Sequence, residues 1–434
     1  MDNQKCHEQT TNSRSSKRKL DDEFIVTSSD ETTQQDLASH VRAQVQILDS
    51  TVSSLEADRA IVKHSIHILS ELAKNQDIVN LIVESGGVSA LVQHLQAPEW
   101  KELSEPRPYE HEVEKGSAFT LGLLALKLEH QQLIVDAEAL PHLITLLKRH
   151  KDGEKSRAVI RRAADAITNL AHENSIGRFN STIYCHYLVE GGIPPLVELL
   201  EFADAKVQRA AAGALRTLAF KNEENKTLIV DCNALPTLIL MLQSEDVAIH
   251  YEAVGVIGNL VHSSPNIKKE VLRAGALQPV IELLSSSCLE SQREAALLLG
   301  QFANGDTDCK IDIVQKGAVG PLIDMLQSPD AQVREMSTFA LGRLAQAGIA
   351  HGGGIPPLLK LLDSKDDRVQ HNAAFALFGL ADNEYNVADF IRVGGVQKLQ
   401  DGEFIFQPTR DCVAKTLKRL EEKVNERICK RSKM

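Results

Sequence analysis

The histidines and cysteines of this chain are the residues most able to bind a metal or to act in covalent catalysis. The 434 residues include 15 His and 7 Cys, and none of them has the CxxC or Cys/His spacing of a zinc site. His351 and the three glycines after it have the composition of an oxyanion-hole loop, but no Gly-x-Ser-x-Gly turn accompanies them. Neither a glycine-rich phosphate loop nor a His-Glu-x-x-His motif occurs. The sequence therefore predicts a protein that is not an enzyme and that uses no cofactor and no metal.

The composition excludes further classes of protein. Lys+Arg number 48 against 59 Asp+Glu, a formal net charge of −11, and this acidic balance disfavours direct binding of nucleic acid. No apolar run approaches the ~20 residues that span a bilayer, so no membrane span is predicted. The polar start, Met1 to Thr10, lacks the apolar core of a secretory signal. The scattered cysteines are typical of a protein in a reducing compartment.

A repeated helical motif must position any functional side chains. A small residue is followed by five residues, a variable residue and then Leu-Ala or a close equivalent, with Leu or Ile two residues before the variable one. The variable residues of the eight copies are Glu71, Leu123, Asn169, Thr217, Asn259, Gln301, Arg343 and Gly379. From 217 to 259, 301 and 343 the spacing is 42 residues each time. Such a period indicates stacked repeats that share one core.

Gly or Asn opens a second motif, which ends in Leu before most copies of the first. Examples span 86–95, 191–200, 233–242, 275–284, 317–326 and 353–362. These residues readily adopt the left-handed conformation that ends a helix, and the Pro that often follows suits a helix start. Each unit is predicted to be a helix that ends at this Leu, a short turn, a brief helix and then a long helix with the Leu-Ala motif.

Together these features resemble armadillo repeats over residues 55–400. The resemblance implies an all-α fold, a right-handed superhelical solenoid of about eight units. The expected boundaries are a disordered tail at 1–36, N-terminal helices with an incomplete first repeat at 37–85, armadillo repeats at 86–400 and a C-terminal capping helix with a basic end at 401–434. Residues 179–187 lengthen one unit and 345–354 shorten another; the prediction is either poor local packing at both places or a sequence that comes from an alternative transcript or a gene-model fault.

Short basic clusters occur near both ends of the chain. Lys17, Arg18 and Lys19 lie in a polar tail, where such a cluster is either a nuclear-localisation signal or merely solvated. The basic end of the last helix is either part of a polar cap or a second nuclear signal. The predicted location is the nucleus, with the cytoplasm kept as a second location.

The expected binding surface is the concave ladder of long helices, which accepts an extended peptide. Periodicity places the variable residue and its predecessor on one exposed stripe there. The candidate partner-binding groove consists of Asn169, Arg216, Thr217, Asn259, Gln301, Arg343 and Phe378. Its two arginines suit an acidic or mixed ligand. The alternative is that several of these side chains only cap helices or pack.

Import receptors of the importin-α type have the same fold and hold basic peptides with a Trp-Asn pair repeated along the groove. Here the single tryptophan, Trp100, lies in an insertion, and the stripe contains Asn only twice. A nuclear transport receptor for basic peptides is therefore the alternative function, and the missing tryptophans disfavour it.

A narrower resemblance involves residues 209–221, 249–261 and 291–303, which look like those of the plant armadillo–BTB proteins. It implies a scaffold whose armadillo repeats bind a transcription factor of the bZIP type in the nucleus, in abscisic-acid signalling. In that family a C-terminal BTB domain connects the bound protein to a cullin-based ubiquitin ligase. The sequence ends at Met434, before such a domain, so the expected role is that of the recognition part of a ligase adaptor.

Overall fold

The computed structural model describes residues 31–51, 53–95, 107–149, 154–171, 191–344, 354–383 and 386–431. The chain divides into two compact units, residues 1–40 and residues 41–434. Of the first unit the structure describes the start of helix α1, Glu31–Ser50. This helix begins inside the segment 1–36 that the sequence predicts to be disordered.

All regular elements in the described part of the second unit are helices. Helices α2 to α8 span Glu56–Leu72, Gln76–Glu84, Gly87–Gln93, Glu110–Leu124, Leu128–Asp136, Ala139–Arg149 and Glu154–Ala171. Helices α9 to α16 span Ile193–Glu198, Ala205–Ala219, Glu223–Asp231, Ala234–Leu242, Val247–Val261, Pro265–Arg273, Leu277–Glu282 and Leu289–Phe302. Helices α17 to α24 span Thr307–Gln315, Val319–Met325, Ala331–Leu344, Ile355–Leu361, Asp367–Leu380, Asn386–Arg392, Gly395–Asp401 and Gln407–Arg431.

The order of helices within a repeat corrects the sequence prediction. In the repeat that ends with α13, the brief helix was expected after Leu242, just before α13. The structure instead places a brief helix, α11, before the turn at Asn233. Asp246 leaves no room for it after Leu242, because its side chain accepts a hydrogen bond from the backbone N–H of Ala248 at 2.9 Å and so starts α13 at once. A regular repeat is therefore two short helices followed by a long one.

The left-handed turn predicted at Gly or Asn is confirmed between the two short helices of a repeat. The φ angles of Gly86, Asn233, Gly275, Gly317 and Gly394 are all positive, from 61° at Asn233 to 93° at Gly275. Side chains other than those of Gly and Asn rarely tolerate this conformation. Glu138, at the corresponding turn between α6 and α7, has a φ of 60° as well, so Gly and Asn favour this turn without being required for it.

The long helices pack side by side, and we call the resulting row the ladder. It consists of α2, α5, α8, α10, α13, α16, α19, α21 and finally α24. The Leu or Ile of each Leu-Ala motif lies between them with no exposed surface: Leu69, Leu121, Ile167, Leu215, Ile257, Leu299, Leu341 and Leu377. Burial of each side chain contributes about 2 kcal/mol to stability. The predicted aliphatic core is confirmed.

Two lysines, one buried and one half-buried, also join successive repeats by binding the ends of ladder helices. The last carbonyl groups of a helix have no partner within it. Lys226 of α11 is 1% exposed, and its Nζ donates to the backbone oxygen of His262, just past α13, at 2.6 Å. One repeat later, Lys268 donates to the backbone oxygens of Phe302 at 3.2 Å and Asn304 at 3.0 Å. The same polar contact therefore recurs with the period of the sequence.

Some predictions fall on parts of the chain that the structure leaves undescribed. The lengthening segment 179–187, most of the shortened segment 345–354, Trp100 and the basic cluster Lys17–Lys19 lie outside the described residues. Among the described helices, none is long and apolar enough to cross a membrane. Over the same residues, no group of three or more His, Cys, Asp and Glu side chains is placed to hold a metal ion.

Candidate partner-binding groove

The seven predicted groove residues all lie in the last turn of a ladder helix. They are Asn169 in α8, Arg216 and Thr217 in α10, Asn259 in α13, Gln301 in α16, Arg343 in α19 and Phe378 in α21. Each is half-buried, although the Leu or Ile residues beside them are fully buried. We call the partly exposed side of the ladder that carries these residues the ladder face.

Both asparagines of the ladder face use their amide hydrogens within the protein. Nδ2 of Asn259 donates to the backbone oxygen of Arg216 at 2.8 Å, and Nδ2 of Asn169 donates to that of Gly122 at 2.9 Å. Each acceptor lies in the last turn of the preceding ladder helix, where carbonyl groups lack an intrahelical partner. The amides thus satisfy helix ends, which is the structural alternative that the sequence left open. Contact with a partner stays a prediction for these two positions.

Arg216 is already paired by carboxylates of the protein itself. Its Nη2 lies 2.9 Å from Oε1 of Glu294, and its Nη1 lies 3.6 Å from Oε2 of Glu252. The guanidinium also lies over the ring of Tyr251, 4.7 Å from the centroid. Burial by itself would lower the pKa of Arg216, but Glu294, Tyr251 and Glu252 reverse the shift and raise it. Arg216 therefore packs within the protein, as the alternative interpretation of the sequence allowed, and its contact with an acidic or mixed ligand stays a prediction.

The other predicted groove residues have weaker contacts. Arg343 donates from Nη1 to Oδ1 of Asn304 at 3.1 Å. The Thr217 hydroxyl donates to the backbone oxygen of Gly213 at 3.1 Å, within its own helix. Oε1 of Gln301 is buried, and no hydrogen-bond donor reaches it from the described residues. Phe378 lies beneath the guanidinium of Arg419, a residue of α24, 4.1 Å from the ring centroid.

Glycines of the ladder make room for aromatic rings of the next repeat. A Cβ added to Gly300 would collide with the ring of Phe339, and one added to Gly342 would lie 3.2 Å from Cδ1 of Phe375. Phe375 remains 39% exposed. The sequence showed Gly beside the variable position in several repeats, but it did not reveal the rings. The missed signal is an aromatic residue four positions before the variable residue.

A charged cleft at the N-terminal half of the ladder face was also missed. It is lined by residues of α5, α8, α10 and α13, and its charged members are Arg162, Asp165, Arg209 and Glu252. Arg162 lies 3.4 Å from Asp165 and 4.0 Å from the ring centroid of Phe119. Burial raises the pKa of Asp165, although the neighbouring arginines oppose the shift. The sequence does contain a signal for this cleft: an arginine lies eight residues before the variable residue in two successive repeats. These arginines are Arg161, before Asn169, and Arg209, before Thr217.

Family models match helical repeats over much of the described chain. The model described as armadillo/beta-catenin-like repeat matches residues 129–172, 186–220, 222–262, 264–303 and 350–382. A HEAT-like repeat model matches residues 290–344. The matched segments end at or near the ends of ladder helices, as the geometry of the repeats requires.

Two curated proteins of Arabidopsis thaliana are similar to this chain in sequence. A protein named armadillo repeat protein interacting with ABF2 is 68% identical over 179 residues, which are 40% of this chain and 24% of that protein. Armadillo BTB Arabidopsis protein 1 is 56% identical over 180 residues, 41% of this chain and 24% of that protein. The matches thus span about a quarter of the length of these relatives.

Solved structures share the fold. An engineered protein superposes with a TM-score of 0.66 and 25% identity, over 88% of this chain and 99% of that one. A designed armadillo repeat protein superposes with a TM-score of 0.50 and 22% identity, over 52% of this chain and 99% of that one. The chain is an all-α armadillo-repeat solenoid, and its sequence resembles that of the plant armadillo–BTB proteins.

Proposed function

We propose that this protein is a non-catalytic scaffold that binds a partner protein on the ladder face. One observation carries the proposal: the last turns of successive ladder helices present a continuous row of half-buried polar and aromatic side chains above a fully buried aliphatic core. A row of this kind offers regularly spaced contacts to an extended segment of another protein. No described residue cluster offers a catalytic alternative.

For the partner, we propose a transcription factor of the bZIP type. The relative named for its interaction with ABF2 is 68% identical over the matched segment, and the name of the second relative contains BTB. On this basis the chain would act as the recognition part of a ubiquitin-ligase adaptor in abscisic-acid signalling. ABF2 is therefore the first partner to test.

The test is a binding measurement between the purified chain and purified ABF2 by surface plasmon resonance. The ladder-face variant combines Arg343→Glu with Phe375→Ala. The matched control combines Arg273→Glu with Leu240→Ala, which change an exposed arginine and a 69% exposed leucine on the short helices. We expect the ladder-face variant to bind at least about tenfold more weakly, since a few central residues dominate such interfaces, and the control to bind like the wild type.

Two results would contradict the proposal in different ways. Equal binding of ABF2 by both variants would place the site away from the ladder face. No binding of ABF2 by the wild type, with tight and salt-sensitive binding of a Lys/Arg-rich peptide, would favour the transport-receptor alternative. Thermal unfolding of both variants shows whether either change has merely destabilised the fold.

We also propose that Lys17, Arg18 and Lys19 direct the protein to the nucleus, because a short basic cluster in a polar segment fits a nuclear-localisation signal. A fluorescent fusion in plant cells tests this. Replacement of the three residues by Ala should move the signal to the cytoplasm, whereas Lys5→Ala should not. Unchanged nuclear fluorescence in the triple variant would remove this cluster from the proposal.

A further inference from the structure

The charged cleft of the ladder face, counted with the charged residues next to it, has one guanidinium group more than it has carboxylates. The cleft has a volume of about 310 Å³ between α5, α8, α10 and α13. Arg162 and Arg209 line it together with Asp165 and Glu252. Arg161 precedes Asp165 by four residues and so lies on the same side of α8.

Both carboxylates of the cleft are already engaged by other arginines. Asp165 pairs with Arg162, whose Nη1 is 3.4 Å from its Oδ2. Glu252 pairs with Arg216 at 3.6 Å. Arg216 in turn belongs to the group that contains Glu294, at 2.9 Å, and this group carries one more carboxylate than guanidinium. Counted together, the cleft and its immediate neighbours hold four guanidinium groups, of Arg161, Arg162, Arg209 and Arg216, against the three carboxylates of Asp165, Glu252 and Glu294, so one guanidinium is in excess.

Arg161 and Arg209 lack such partners. Arg209 is exposed, and Arg161 is half-buried, with an Nε that is buried and has no hydrogen-bond acceptor in the described part of the chain. Neither guanidinium has a carboxylate oxygen within 4 Å over the residues that the structure describes. They occupy equivalent positions of the neighbouring ladder helices α8 and α10, whose axes in such packing lie about 10 Å apart. Arg209 thus lines the cleft without a carboxylate within 4 Å among the described residues, and Arg161 lies next to the cleft, close enough to Asp165 to act on its charge.

The surroundings strengthen a charge–charge contact at this place. Burial raises the pKa of Asp165 against the influence of Arg162, Arg161 and Arg209. Burial outweighs the effect of three arginines on this pKa, which indicates that the site around Asp165 is partly desolvated, and an ion pair in such a site is stronger than in bulk water. The chain as a whole is acidic, with a net charge of −11. The cleft is therefore a local exception to the charge of the whole chain.

We propose that the cleft binds the carboxylate of an Asp or Glu side chain of a partner segment, held between Arg161 and Arg209. Guanidinium groups match carboxylates in geometry and form charge-assisted hydrogen bonds with them. This inference rests on the proposed function, because it assigns chemistry to one part of the partner that the ladder face receives. It also predicts discrimination against basic segments.

The test uses fluorescence anisotropy with two labelled probes, a short peptide of alternating Asp and Ala and a matched peptide of alternating Lys and Ala. The acidic peptide should bind the intact chain, and its affinity should fall as NaCl is added. Arg161→Gln with Arg209→Gln should weaken binding by about tenfold, as expected when a charged pair is broken. Arg273→Gln, on an exposed short-helix position, is the control and should leave binding unchanged.

A variant that binds the acidic peptide more tightly than the wild type cannot be explained by unfolding, so it tests the proposal independently of stability. Asp165→Asn removes a carboxylate that competes for the arginines, so it should tighten the binding of the acidic peptide several-fold.

Two results would overturn the inference. One is equal binding of the acidic peptide by the wild type and by the double variant, and the other is equal binding of the acidic and basic peptides by the wild type. If ABF2 binds the ladder face while the acidic peptide does not bind, only this inference fails. If neither binds, the proposed function fails with it.

Discussion

Arg216 and Glu294 form an ion pair across an intervening ladder helix. Nη2 of Arg216, in α10, lies 2.9 Å from Oε1 of Glu294, in α16, although 78 positions separate them in the chain. The helix between them is α13, and Gly255 in that helix provides the space for the arginine, since a Cβ there would overlap its Nε. A single side chain therefore connects three successive ladder helices.

Gly255 and Gly258 of α13 form a matched pair for testing this connection. A Cβ on Gly258 meets nothing within 4 Å, so Gly258→Ala should stabilise the protein by about 1 kcal/mol through helix propensity. Gly255→Ala gains the same propensity but displaces the guanidinium of Arg216 from Glu294. We expect its thermal midpoint, measured by calorimetry, to lie below that of Gly258→Ala. Equal midpoints would show that the arginine relocates without cost.

A double-mutant cycle on Arg216 and Glu294 measures the ion pair itself. Their side chains are 24% and 17% exposed, so we expect a coupling free energy of about 1 kcal/mol. The same cycle in the Gly255→Ala background should give no coupling, because the methyl group blocks the path between the two residues. Coupling that persists there would contradict the role assigned to Gly255.

The amide of Asn259 should contribute to stability through its bond to the backbone of Arg216. Asn259→Ala removes that 2.8 Å bond and should lower the free energy of unfolding by about 1 kcal/mol. Asn259→Asp should lower the free energy of unfolding by more than Asn259→Ala does, because a carboxylate cannot donate a hydrogen bond to a carbonyl oxygen. Gln301→Leu is the control: Oε1 of Gln301 has no donor among the described residues, so this change should be nearly neutral in the same denaturation assay.

Lys226 and Lys268 make equivalent hydrogen bonds in successive repeats, but the side chain of Lys226 is more deeply buried. Lys226→Met leaves the backbone oxygen of His262 without its 2.6 Å donor in a buried site, and we expect a loss of about 2 to 3 kcal/mol. Lys268 is only half-buried and its two bonds are longer, so Lys268→Met should cost about 1 kcal/mol. Comparable losses measured by calorimetry would indicate that burial is not the deciding factor.

Stability should fall as the solution becomes mildly acidic, in part through His94. Burial lowers the pKa of His94, with the Leu48 backbone oxygen, 3.0 Å from Nε2, acting against the shift. A lowered pKa means that the unfolded chain takes up a proton first, so stability is present above the unfolded pKa of about 6.5 and is lost below it. The uptake of one proton by the unfolded chain can lower the free energy of unfolding by at most about 1.4 kcal/mol per pH unit.

The measurement is the thermal midpoint between pH 7.5 and 5.5 for His142→Gln with and without His94→Gln. His142 is replaced in both proteins because burial lowers its pKa as well. The protein that keeps His94 should lose more stability over this range. Parallel curves would mean that His94 titrates alike in the folded and unfolded states.

Local patterns predicted most of the fold. The Leu and Ile spacing located the buried positions of the ladder, and Gly or Asn located the left-handed turns, because helical period and backbone preference act over a few residues. The position of the brief helix was predicted wrongly, since the capping role of Asp246 was not recognised. The start of α1 at Glu31 was missed because its first turns are polar throughout.

The candidate site was predicted less completely. The sequence placed Asn169 and Asn259 on one stripe of the long helices, but it could not assign their amides to the carbonyl groups of Gly122 and Arg216, which lie 47 and 43 positions away. Phe339 and Phe375 escaped notice because their glycine neighbours belong to the preceding repeat. Each missed contact joins two repeats.

The sequence by itself determined the repeat, its long helices and their buried Leu and Ile positions. Only the tertiary structure decided which charged side chains of the ladder face have an oppositely charged partner. Arg216 finds Glu252 and Glu294 in the next two repeats, whereas Arg209, in the same helix, finds no carboxylate within 4 Å over the described residues. The physical reason is that ion pairing depends on distances between packed helices, which the spacing of residues along one helix does not specify.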